Sequence, residues 1–93
     1  MPSPRSHSDL CREIVRLLQQ EREKRGWTKY SLAAKSGVSQ QMIGYLERGL
    51  RAPSFETVLR LTDAIGLDLG DLVRRARGQR APGAPGSSPD RRS

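Results

Sequence analysis

Gln40 and Gln41 stand side by side with Tyr45 one helical turn beyond Gln41, in a segment whose Ile43 and Leu46 are claimed by a hydrophobic core. A glutamine amide carries a donor and an acceptor together, the pair that fits the N6 and N7 edge of adenine in a DNA major groove. Tyr45 offers two contacts, its ring against a thymine methyl or its hydroxyl to a phosphate, and the residues leave both open. Around these, Lys29, Arg48 and Arg51 supply cations, and Thr28 and Ser39 supply hydroxyls at helix starts, all suited to phosphate oxygens. This is chemistry of recognition. Catalysis would need a nucleophile paired with a base, a phosphate loop or a metal set. One histidine, one cysteine and scattered carboxylates offer none of these, so neither an enzyme nor a metal or other cofactor is expected.

For those side chains to act together, Thr28 to Glu47 must hold two short helices joined with almost no loop. The junction is Ser36-Gly37-Val38-Ser39. Gly37 can end one helix in the left-handed region, Val38 anchors the turn in apolar contacts, and Ser39 can cap the next helix. The same glycine, apolar, cap order recurs at Gly26-Trp27-Thr28 and Gly66-Leu67-Asp68, which predicts a compact array of five helices without strands. The first helix is expected from a Ser8 cap to about Arg25 with Leu10, Ile14, Leu17 and Leu18 inward. The second covers roughly 29–36 and the third 40–48. The fourth is capped by Ser54 with Val58, Leu61 and Ile65 inward, and the fifth is capped by Asp68 with Leu69, Leu72 and Val73 inward. Helices of two turns are marginal alone in water, so packing must hold the pair. Gly44, in the interior of the third helix, carries a propensity cost of about 1 kcal/mol against alanine. Close approach to DNA is a reason to accept it.

With 93 residues the chain has room for one small domain, expected at 8–77. Residues 1–7 and the basic, Pro/Gly/Ser-rich 78–93 lack bulky apolar groups and are expected to be disordered flanks. Seventeen Lys plus Arg against ten Asp plus Glu, a net charge of +7, attracts a polyanion. The N-terminus is polar, and no apolar run is long enough for a signal peptide or membrane span, so a cytoplasmic protein is expected. The lone Cys11 cannot form an internal disulfide and reads as a small half-apolar packing residue.

Taken together, Arg22 to Thr28, Leu32-Ala33, Ser36 to Ser39, Ile43, Leu46 to Gly49, Pro53-Ser54 and Ala64 to Asp68 resemble the phage-repressor-like (XRE, Cro/CI type) helix-turn-helix family over roughly residues 9–73. The resemblance implies an all-α, five-helix repressor-like DNA-binding domain whose third helix, 39–48, lies in the major groove. It implies a transcriptional regulator of the repressor kind on double-stranded DNA, with a partly palindromic operator and a homodimer. It also implies that base contacts come from the first turn of that helix, and that Arg22 and Glu47 form an architectural ion pair between the first and third helices. A protein-interaction module, such as an antitoxin or transcriptional adaptor on the same fold, is the alternative. Three positions depart from the family: Lys29 replaces a frequent glutamine, Ser31 a frequent glutamate and Thr62 a frequent alanine. Leu59, Leu67 and Leu69 are free either to finish the core or to pair two copies.

Overall fold

A computed structural model describes residues 7–78. They form five helices: α1 (His7–Lys24), α2 (Lys29–Ser36), α3 (Gln40–Glu47), α4 (Phe55–Ile65) and α5 (Leu69–Ala76). No strand occurs among the described residues. The core joins Ile14, Leu17 and Leu18 of α1 to Leu32, Val38, Ile43, Leu46, Val58, Leu61, Ile65 and Leu72, so each helix contributes the apolar stripe its periodicity prescribes. Here α1 packs on α3, α4 and α5, while α2 packs on α3 and α4.

Serine, threonine and aspartate set the helix starts. Thr28, Ser39, Ser54 and Asp68 each accept the backbone N–H three residues on, at 3.0, 3.0, 3.1 and 2.8 Å. Each cap satisfies a donor that the first turn cannot, worth about 1 kcal/mol apiece. Between α2 and α3, Gly37 adopts φ +77°, a conformation that costs side-chain-bearing residues strain, and its N–H closes on the Ala33 carbonyl at 3.0 Å. Ser36, which the sequence reading left without a role, is buried and accepts the Val38 N–H at 3.1 Å. These two bonds tie the turn to α2, and the Ser39 cap on the Met42 N–H ties it to α3.

Several boundaries differ from expectation. The first helix already includes His7, so Ser8 lies inside its first turn and is not its cap, and the N-terminal flank does not extend to residue 7. Helix α1 ends at Lys24, and Arg48 caps α3 instead of belonging to it. Gly78, assigned to the tail, still donates its N–H to the Arg75 carbonyl at 3.0 Å. The expected disorder of residues 1–6 and 79–93 lies outside the described residues. In α1, Val15 is buried although it was absent from the expected stripe, while Leu10 is half-buried. The difference follows from α1 meeting three other helices, which broadens its buried face. In α5, Leu69 and Val73 are half-buried and Ala76 is buried. Thr62 donates its hydroxyl to the Leu59 carbonyl at 3.0 Å, so a buried polar group costs the core nothing unpaired.

Candidate nucleic-acid interface

The outer side of α3 is built by what its inner side buries. Ile43 and Leu46 are 2% and 4% exposed, which commits the opposite face, with Gln40 and Gln41, to solvent. Lys29, Gln40, Gln41, Gly44, Tyr45 and Arg48 line one shallow concavity between the start of α2 and α3. Gly44, although it lines this concavity, is buried by its neighbours. A Cβ at that position would nevertheless meet nothing nearer than Arg48 Nη1 at 4.0 Å, so a methyl group there would stand in the concavity.

Five cation or hydroxyl positions surround this surface. Thr28 and Ser39 use their oxygens as caps, as acceptors, so each hydroxyl hydrogen can still be donated; Thr28 Oγ1 also lies 3.1 Å from Ser31 Oγ. Lys29, the first residue of α2, sits where that helix's positive end already favours an anion. Arg48 and Arg51 are exposed and lie near the Tyr45 ring, with guanidinium carbons 5.7 and 5.5 Å from its centroid. The Tyr45 hydroxyl accepts a hydrogen bond from Gln41 Nε2 at 2.7 Å. Neither of these contacts was foreseen from the sequence. Arg51 reaches the ring because the chain turns just beyond α3 at Gly49, whose φ of +74° lets Leu50 donate back to the Tyr45 carbonyl at 2.8 Å and Gly49 to the Leu46 carbonyl at 3.0 Å.

Arg22 and Glu47 lie apart from this surface. Arg22 Nε and Nη2 donate to the two Glu47 carboxylate oxygens at 2.9 and 3.0 Å, and Nη1 donates to the Trp27 carbonyl at 2.7 Å. The two side chains are 10% and 8% exposed. The fork therefore ties the ends of α1 and α3 to the backbone that opens α2.

Electrostatically, the surface is cationic without an opposing carboxylate in the concavity. The acids instead pair elsewhere: Glu21 with Arg25 at 2.8 Å, Glu56 with Arg60 at 2.7 Å, and Glu13 with Arg16. The Arg16 hydrogen bond holds the Glu13 carboxyl below its usual range, against the opposing effect of burial, with the Arg16 charge adding to the lowering. Among the described residues no cluster of His, Cys, Asp and Glu could hold a metal ion, and no helix is long and apolar enough to cross a membrane.

A helix-turn-helix family model matches residues 18–72. An uncharacterised HTH-type transcriptional regulator of Mycobacterium tuberculosis is 43% identical over 53 residues, covering 57% of this chain and 21% of its own length. The HTH-type transcriptional regulator y4dJ of Sinorhizobium fredii, also uncharacterised, is 40% identical over 52 residues, which is 56% of this chain and 68% of its own. The HTH-type transcriptional regulator SutR of Escherichia coli is 29% identical over 65 residues, 70% of this chain and 36% of its own. The chain thus spans about a fifth of the mycobacterial relative and about a third of SutR. No solved structure matches it.

Proposed function

We propose, since this chain belongs to the helix-turn-helix family, that it is a sequence-specific DNA-binding transcriptional regulator of the repressor kind. The observation that carries this reading is the exposed, carboxylate-free grouping of Gln40 and Gln41 with Lys29 and Arg48 on the outer side of α3. In this reading α3 enters the major groove, Gln40 and Gln41 meet base edges, and Thr28, Lys29, Ser39, Arg48 and Arg51 meet phosphates. A partly palindromic operator and a homodimer follow from the family's symmetry, with Leu59, Leu67 and Leu69 as the apolar residues nearest to spare for pairing; Leu59 is 37% exposed and the other two half-buried. The site of action is the cytoplasm.

The same fold used as an antitoxin or adaptor would dock a protein through an apolar surface, and the polar, cationic make-up of the α3 face supports nucleic acid instead. Fluorescence anisotropy on a selected duplex across a salt series separates the two. Phosphate contacts make the logarithm of affinity fall with log salt by about 0.9 per contact. Lys29→Ala and Arg51→Ala should each weaken all sequences alike and flatten that slope by about that amount per subunit. A salt-independent affinity, or no binding to any duplex, overturns the reading.

A further inference from the structure

Two neighbouring glutamines on α3 are not equivalent. Gln41 spends one Nε2 hydrogen on the Tyr45 hydroxyl at 2.7 Å, one turn along the same helix, whereas Gln40, equally exposed, makes no such bond. A glutamine side chain that must be frozen on binding gives up rotamer entropy, and one already held gives up less. The tether also fixes which end of the amide faces the tyrosine. It leaves Oε1 and the second Nε2 hydrogen uncommitted, the acceptor and donor that adenine's N6 and N7 require.

Tyr45 is itself held. Its ring lies within reach of cation–π attraction from both the Arg48 and the Arg51 guanidinium, at 5.7 and 5.5 Å. The backbone bond from Leu50 to the Tyr45 carbonyl brings the loop carrying Arg51 to that position. With two arginines drawn to the ring and the hydroxyl engaged by Gln41, the ring has partners in the free protein that compete with a thymine methyl.

We infer that Tyr45 is a positioning residue for base recognition: its hydroxyl orients the Gln41 amide and its ring holds Arg48 and Arg51, without touching the base that Gln41 reads. This rests on the DNA-reading role of the α3 face and assigns specificity at one base pair to a side chain beyond the base-contacting pair.

The test compares wild type, Gln41→Ala, Gln40→Ala, Tyr45→Phe and Tyr45→Leu by selection from a random duplex pool, followed by affinities on the selected site, on its single-base variants and on an unrelated duplex. Tyr45→Phe removes only the hydroxyl. It should lower discrimination at the base pair identified by Gln41→Ala by about three- to tenfold, the range one hydrogen bond supplies. Discrimination at the Gln40 position, affinity for the unrelated duplex, the salt slope and the thermal midpoint should stay unchanged. Tyr45→Leu should add a uniform loss on every duplex, because the arginines lose the ring that attracts them. The inference is overturned if Tyr45→Phe keeps full discrimination, if its loss falls at a base pair other than that of Gln41, or if it weakens all duplexes alike. Wild-type protein that binds no duplex would instead overturn the DNA reading itself, so the two failures are distinguishable.

Discussion

Removing Glu47 should cost this domain a large share of its stability, and the size follows from what Arg22 keeps. In Glu47→Ala the Arg22 guanidinium, 10% exposed, loses two bonds of 2.9 and 3.0 Å and retains the Trp27 carbonyl at 2.7 Å. The carboxylate of Glu23 stands 3.6 Å away but is 57% exposed and so offers only a screened substitute. Stranding one member of a buried pair costs about 3–5 kcal/mol, and the retained carbonyl argues for the lower end, about 3 kcal/mol. At about 4–8 °C per kcal/mol for a domain of this size, the thermal midpoint should fall by about 12–24 °C. Urea denaturation followed by circular dichroism, with the single Trp27 as a second probe, measures the loss directly. A cycle of Arg22→Ala, Glu47→Ala and the double variant should show the double variant losing much less than the sum of the singles, because neither charge is then stranded. Single-variant losses below about 1 kcal/mol with no coupling, as an exposed ion pair gives, would refute the argument.

Three further outcomes follow from the same geometry. Gly44→Ala should raise stability by about 0.5–1 kcal/mol, since its Cβ meets nothing nearer than 4.0 Å, yet weaken operator binding by placing a methyl in the concavity; denaturation midpoints and anisotropy should move in opposite directions. Gly37→Ala should destabilise by about 1–2 kcal/mol in denaturation, because φ is +77° and Arg60 Nη1 lies 3.0 Å from the new Cβ; the flexible Arg60 can swing away, but the backbone strain remains. Glu13 should titrate below its usual 4.5 by carbon-detected NMR, and Arg16→Ala should raise that midpoint. With the folded value depressed, the Glu13 contribution to stability is complete above pH 4.5 and disappears as pH falls through the folded value.

Much of the fold is written in local chemistry. The glycine, apolar, cap junctions at Gly26, Gly37 and Gly66 specify helix ends through one residue's backbone and the next cap's oxygen, both readable without tertiary context. The start of α1 was less legible, because a serine just before an apolar stripe suits a cap and a first-turn position alike, and Ser8 takes the second. The burial of Val15 depends on α1 meeting α3, α4 and α5 at once, which no single helix period encodes. At the interface, types and exposure were legible: Gln40 and Gln41 face out because Ile43 and Leu46 face in. The Gln41–Tyr45 bond and the placing of Arg51 against the ring were not. They depend on rotamers and on the path of the chain after Gly49, and the spacing of four alone suits several other contacts equally well.

The central claim is that the outward amides of α3 read base edges on a scaffold held independently of them. It is tested most directly by selecting bound duplexes from a random pool with wild type and with the Gln40→Ala, Gln41→Ala double variant, after checking that both unfold at the same temperature. The account predicts one enriched motif, repeated with dyad symmetry, for the wild type, and none for the variant, which should still bind duplexes in general through Lys29, Arg48 and Arg51. Enrichment of the same motif by both proteins would contradict it.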